Sequence, residues 1–391
     1  MATRTPCSNS QPQPRIHLLR SALQKSPGRR LRLLLVIAFG SVSLDAMILP
    51  AQADVKARLH EAESILTEMS LEFGRLESNF YYVLYVGRRD FALERQRILV
   101  KTRQNFLGFT RRLKLDINHR HEKLLVILLD DQRQMKQFAS RCGGDSQELA
   151  DWVAGYYSPE RNWAVFYNQR SGEGLKNAER ELNRMAQRLI NLEGGPDVIV
   201  RVQTPNGVVS KSKRQVAREI EAEWARLVAE TMQFNTVVTQ HEGAHQLAYN
   251  VGVQQRNVRY PFWLSEGLAC VFESPPDERQ AQGAGRLNTD RLLAYRAIVE
   301  RSTDLGLQEL ISLSHPGPHH DVSGLYAESW AVFSFFFKRY PTQLAAYMRH
   351  LAERTRQAEP ESEADVLASF MKKPVPVLQR EFTRYIEMLR P

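Results

Sequence analysis

Residues 239–250 read TQHEGAHQLAYN, and the fold turns on whether its two histidines share one face of a helix. Residues four apart on an α-helix project from the same side, so His241 and His245 in helical form direct their ring nitrogens at one point. That suits two ligands of a tetrahedral zinc, which in catalytic sites takes three protein ligands and leaves the fourth position to water. Glu242, directly after the first histidine, lies beside that face, within reach of the water as general base. The rival reading is a coincidence of polar residues on an ordinary helix. A chance match in a chain of this composition is on the order of two in a hundred, so a third ligand is what decides.

Downstream, YPFWLSEGLACVFES (Tyr260–Ser274) has a proline start and an apolar stripe with Glu266 set in it. A lone glutamate among apolar residues needs a charge partner, which a zinc ion supplies. If the segment NVGVQQRNVRYP turns the chain back, this second helix packs against the first and Glu266 completes the ligand set. Glu273, seven residues on, falls on the same helical face. It either holds the second nitrogen of a ligand histidine or is an exposed acid at a helix end.

HEGAHQ, with 20 residues between His245 and Glu266 and WLSEGLACVFE around the latter, resembles the gluzincin metallopeptidases. It is similar in particular to the peptidase MA-like group, which includes exported bacterial proteins carrying a domain of unknown function. The strong part of the resemblance covers roughly residues 235–340. It implies one zinc per chain bound by His241, His245 and Glu266, with Glu242 as catalytic base. GLYAESWAVFSFFFKRY (Gly324–Tyr340) resembles the gluzincin segment whose tyrosine donates its hydroxyl to the developing oxyanion, and this points to Tyr326. On the residues alone, Tyr326 is equally a tyrosine at the wet end of a packed helix. Phe333, Phe335, Phe336 and Phe337 read as core. No GxMEN-like stretch for a substrate's free amine is present, so exopeptidase activity is unsupported. The edge of the NWAVFYN strand is expected to hold an extended peptide by strand addition, which suits endoproteolysis.

Around this constellation the pattern reads as α+β, a small mixed strand and helix unit followed by a mostly helical zincin-type region. After a helix over residues 54–74, NFYYVLYVG and the apolar run KLLVILLDD read as strands, with helices after each at RDFALERQRILVKTRQNFLGFTRRL and DQRQMKQFAS. WVAGYYS and NWAVFYN form a hairpin. These occupy residues 75–170. A helical and irregular insertion follows over 171–230, with PDVIVRVQTPNGVVSKSKRQ as its irregular part and SKSKR a solvated loop. The helical zinc-binding region spans 231–391, with helices from about 214 to Asn250 and near 261–273, 290–301, 325–340, 342–356 and 363–389. SHPGPHHD places His315, His319 and His320 just before Tyr326. Histidines in a Pro/Gly loop are usually solvated, and His320 is the one placed to meet substrate.

The formal charge of +9 is lopsided: residues 1–53 hold seven basic side chains and one acid, leaving 46 basic and 43 acidic residues, a net of +3. A nucleic-acid partner is therefore not indicated. GRRLR, the apolar run LLLVIAFG and the small residues of AQA (Ala51–Ala53) make residues 1–53 a signal peptide cleaved after Ala53. Leu33–Leu49 is 17 residues, the short edge of a membrane span, and Asp45 within it disfavours an anchor. The expected mature protein is exported, periplasmic or secreted, without stable membrane insertion. Cys7 leaves with the leader, so a bridge between Cys142 and Cys270 is possible, although isolated cysteines are more often small buried apolar residues. Two function classes remain: a zinc peptidase acting on a peptide or protein substrate, and a non-catalytic module that binds a peptide or cell-envelope component on the same fold.

Overall fold

The structure is a computed structural model of the 391-residue chain, and it describes residues 15–16, 55–118, 122–142, 153–204, 207–273, 286–354 and 362–390. Apart from Arg15 and Ile16, the expected leader and its cleavage point at Ala53 lie outside the described residues. In chain order the first elements are β1 (Arg15–Ile16), α1 (Val55–Glu68), β2 (Phe73–Glu77), β3 (Tyr81–Val86), α2 (Arg89–Arg112), β4 (Leu124–Leu129) and α3 (Gln132–Arg141). Then come β5 (Gly155–Ser158), β6 (Trp163–Tyr167), α4 (Glu173–Ile190), β7 (Ile199–Thr204), β8 (Gly207–Ser212) and α5 (Lys213–Asn250). The remainder is helical: α6 (Phe262–Cys270), α7 (Thr289–Glu300), α8 (Leu307–Ser312), α9 (Val322–Arg339), α10 (Pro341–Glu353), α11 (Glu363–Met371) and α12 (Val375–Met388). The architecture is α+β. No described helix is long and apolar enough to cross a membrane.

The chain divides into two compact units, residues 1–33 with 170–232 and residues 34–169 with 233–391. The larger unit is built on a five-stranded sheet in the order β2-β3-β4-β6-β5. β3, β4 and β6 run parallel, with Val83 opposite Val126 and Ile127 opposite Val165, while β2 and β5 flank them antiparallel. A parallel strand covered on both faces needs apolar residues on both, hence the unbroken LLVILL of β4, every residue of which is buried. Leu124, Val126 and Leu128 face a core shared with Leu99 and Phe106 of α2, Ala244 and Leu247 of α5, and the helices from α6 onward. Leu125, Ile127 and Leu129 face the other core, with Leu59 and Leu66 of α1 and Phe138 of α3. α6 is buried on every side, as expected of a helix apolar all round. It packs closest on α9 through Gly267, where a methyl would stand 2.4 Å from the Ser329 carbonyl oxygen and 2.6 Å from Phe333 Cβ.

In the smaller unit β7 and β8 form an antiparallel hairpin with Val202 opposite Val209, and β1 lies parallel to β7. Leu189 of α4 and Val216 of α5 close its core over Val200 and Val202. The stretch expected to be irregular is therefore a hairpin: alternation buries Val200 and Val202 and leaves Ile199 and Arg201 exposed.

Other expectations are corrected in detail. Trp163–Tyr167 is not an edge strand, because β4 pairs with it on one side and β5 on the other; the edge belongs to Gly155–Ser158. The first helix ends at Glu68 and the strand β2 follows it, and α8 is a short helix not expected from the sequence. The single helix expected over 363–389 is two, since Lys372 adopts the left-handed backbone (φ 55°) and Pro374 opens a new helix.

Candidate metal centre

His241, Glu242 and His245 lie in the stretch of α5 from Val238 to Ala248 that is buried throughout. Four-residue spacing brings the two imidazoles to 4.7 Å between ring centroids, with their Nε2 atoms 3.0 Å apart. The chain turns back over residues 251–261, as the sequence required, and α6 carries Glu266 Oε2 to 3.1 Å from His241 Nε2 and 3.5 Å from His245 Nε2. Ligand atoms 2.0–2.1 Å from a tetrahedral zinc stand about 3.3 Å from one another, so these three atoms have the spacing of one ligand shell. Glu266 Oε1 is buried without a hydrogen-bond partner, a costly state that a cation would relieve. His241, His245 and Glu266 can thus hold a metal ion.

A second group of donors, His241, Cys270 and Glu273, also lies close enough together, but its members are already engaged. Glu273 sits just beyond the end of α6, not on its face as expected, and accepts from His241 Nδ1 at 2.9 Å. Its carboxylate also accepts from Arg291 Nε at 2.8 Å and Nη2 at 2.7 Å, and from Asn288 Nδ2 at 3.2 Å. Burial pushes the Cys270 thiol up to about 11, so it stays protonated. Because an ionised carboxylate only accepts, Glu273 fixes hydrogen on Nδ1 of His241 and turns Nε2 toward Glu266 and His245. Of the two possibilities for Glu273, the structure has it on the histidine.

The charges are set by burial and by the cluster itself. Burial lowers His241, but its contacts with Cys270, Glu266 and Glu273 outweigh this and raise it well above the ordinary histidine value. Burial keeps His245 below that value in spite of Glu266. Burial would raise Glu266, yet the two histidines hold it low, and against the same opposition Arg291 draws Glu273 down to about 2. Glu242 goes the other way: burial raises it to about 8, with Glu266 and Glu273 adding to the rise and His241 and the Tyr157 backbone N–H opposing it. Its Oε1 is buried without a hydrogen-bond partner.

Tyr326 on α9 is fully buried, not at the wet end of its helix. Its ring stands edge to face with His241 at 5.8 Å between centroids, and the Arg291 guanidinium carbon lies 5.4 Å from the ring centre. Burial, then the charges of Glu266 and Glu242, push its hydroxyl well above the ordinary value, which keeps it a proton donor. Phe333, Phe335, Phe336 and Phe337 are all core. Among the described residues, none of the three loop histidines belongs to a metal-capable group: His315 and His319 are exposed, and His320 Nδ1 accepts from the Gly317 N–H at 2.6 Å. Cys142 and Cys270 are both free, and they belong to cores on opposite faces of the sheet, which rules out a bridge. Sequence reasoning missed Asn288 and Arg291. The available signal was an arginine in the buried stripe Arg291, Tyr295, Ile298 of α7, spaced four and three residues apart.

No curated protein matches the chain. Residues 234–357 match the model of a family described as a protein of unknown function (DUF1570), a span that includes His241, Glu242, His245, Glu266, Glu273, Arg291 and Tyr326.

Proposed function

We propose that the protein is an exported zinc peptidase that hydrolyses internal peptide bonds. The observation that carries this reading is the pairing of a metal-capable trio, His241, His245 and Glu266, with a buried carboxyl group, that of Glu242, one residue along the same helix, whose Oε1 has no hydrogen-bond partner. The resemblance of HEGAHQ and WLSEGLACVFE to the gluzincins supports the same assignment. Bound there, zinc supplies a Lewis acid for the scissile carbonyl and the attacking water, and its charge favours the ionised form of Glu242. Glu242 then takes the proton from that water and passes it to the leaving amine. Tyr326 donates its hydroxyl to the carbonyl oxygen as charge develops on it. Glu273, clamped by Arg291 and Asn288, keeps the His241 ring in one tautomer and one orientation. The β5 edge offers backbone groups to an extended peptide.

A non-catalytic binding module is the second reading, favoured by one feature: His241, Glu242, His245, Glu266 and Tyr326 are all 0–2% exposed. Zinc content and cleavage of a peptide library, measured on the wild type and Glu242→Gln, separate the two. The peptidase reading requires about one zinc in both proteins and a rate lower by about 10²-fold or more in the variant, since the base is lost but no ligand is. A zinc-loaded wild type that cleaves nothing in the library leaves the binding module. For export, sequencing the mature N-terminus tests cleavage after Ala53; a soluble cytoplasmic protein starting at Met1 would refute it.

A further inference from the structure

The helix that carries the two histidines holds a separate set of polar contacts along another of its sides. Gln246, the residue after His245, donates to the carbonyls of Leu125 in β4 at 2.9 Å and of Asn162 at 3.2 Å. One turn on, Asn250 forms a reciprocal amide pair with Asn162: Asn250 Nδ2 donates to Asn162 Oδ1 at 2.6 Å, and Asn162 Nδ2 donates to Asn250 Oδ1 at 2.8 Å. Asn162 closes the turn between β5 and β6 with φ 57°, a left-handed backbone that asparagine tolerates better than most side chains. Arg256, in the segment from α5 to α6, completes the set. Its Nε donates to the Pro159 carbonyl at 2.8 Å, and its Nη2 to Tyr157 Oη and Asn250 Oδ1, each at 3.3 Å. The Tyr157 hydroxyl donates in turn to Asn162 Oδ1 at 2.9 Å, and the Tyr157 ring packs on Tyr249 of α5 with centroids 5.5 Å apart.

These contacts join the β5–β6 hairpin to β4, to the end of α5 and to the segment after it, and none touches His241, His245 or Glu266. Gly155 of β5 lies against α5, where an added methyl would stand 2.9 Å from Val238 Cγ1, so the strand that the network holds runs beside the buried stretch of α5 that carries Glu242. Among the described residues β5 has a ladder partner on one side only, and an edge strand with few buried contacts opens locally unless something else holds it. We propose that Arg256, together with Tyr157 and the Asn162–Asn250 pair, is a positioning device that pins edge strand β5 to α5, so that the strand's rim keeps a fixed place beside the stretch of α5 that carries Glu242. The pinning stands on the geometry alone; its catalytic consequence rests on the peptidase reading.

The experiment compares hydrogen exchange and peptide cleavage in the full chain as purified, for wild type, Arg256→Met and Tyr157→Phe. Arg256→Met keeps the aliphatic stem and removes three donated bonds; Tyr157→Phe keeps the ring and removes one hydroxyl. Exchange in a fragment covering residues 153–160 should rise about 10-fold in Arg256→Met and less in Tyr157→Phe, while fragments from β4 and α6 stay as protected as in wild type. Zinc content should not change. With a peptide that the wild type cleaves, KM should rise and kcat/KM fall by about 10-fold in Arg256→Met, since misplacing a binding strand by about 1 Å costs rate on that scale or more. Unchanged exchange at 153–160 in both variants overturns the pinning. Faster exchange spread equally over β4 and α6 overturns it too, because it marks general destabilisation. Loosened β5 with unaltered kinetics overturns the catalytic consequence. If the wild type cleaves no peptide, the peptidase reading fails, and the exchange result still decides the pinning.

Discussion

Replacing Glu273 by glutamine separates two roles of one carboxylate. Glu273 faces a bidentate Arg291, Asn288 and the Nδ1 of His241, and it is buried. Arg291 holds it near 2 against an ordinary 4.5, which despite the opposing burial corresponds to about 3 kcal/mol favouring the charged form. Breaking a buried ion pair by removing one partner costs about 3–5 kcal/mol, because the remaining charge is stranded. Glu273→Gln should therefore lower stability by about 3 kcal/mol, or Tm by about 4 °C. It should also weaken zinc binding by about 10–100-fold, as the His241 ring loses its orienting partner. Adding Arg291→Met removes the stranded cation. The double variant should recover most of the lost stability, since with both charges gone no ion is left buried without its counter-charge, yet it should bind zinc as weakly as the single variant. Urea unfolding and zinc titration against a competing chelator read the two quantities independently. A double variant no more stable than Glu273→Gln would refute the stranded-charge account, and wild-type zinc affinity in either variant would refute the orienting role.

Three other outcomes are expected. Tyr326→Phe should lower turnover by about 10²-fold with little change in KM or Tm if the hydroxyl donates to the oxyanion; lower Tm with intact turnover per folded molecule would make Tyr326 a core residue only. Burial raises Glu328 on α9 to about 7, with the Leu305 N–H opposing the rise. Its neutral form is the one the fold prefers, so that contribution to stability is present below about pH 4.5 and lost as pH rises through about 7. Glu328→Gln should thus be more stable than wild type at pH 8, by up to about 3 kcal/mol, with the gap closing near pH 4.5, and a gap that does not vary with pH would contradict this. Gly267→Ala forces a methyl against the Ser329 carbonyl and should cost about 2–3 kcal/mol in urea unfolding; wild-type stability would mean that α6 and α9 shift apart easily.

The parts of this protein that local chemistry dictates were legible in its sequence. His241, His245 and Glu266 announced themselves by spacing on one face and by a charge in an apolar stretch, and the structure brings the three together. β4 was readable as an unbroken apolar run, β3 by its aromatic and β-branched residues, and the β5–β6 hairpin as two alternating runs joined by a turn. What failed to show is non-local. The order of strands depends on β4 pairing with β6 across a span of more than thirty residues, and nothing within NWAVFYN says that β5 lies outside it. Arg291 reaches Glu273 from another helix, and Arg256 reaches Pro159 from 97 positions away. The β7–β8 hairpin was hidden for another reason: one exposed face mixes Ile199 with Arg201, so its alternation carries little hydrophobic contrast.

The closure of the candidate site has a kinetic side. With His241 and Glu266 at 0% exposure, an incoming ion, a chelator or a substrate carbonyl reaches their ligand atoms only when the structure around them opens locally. The rate at which metal enters or leaves is then set by the frequency of that opening, whatever the equilibrium affinity. If the site holds a metal as proposed, the protein keeps that ion through brief falls in free metal far below the dissociation constant.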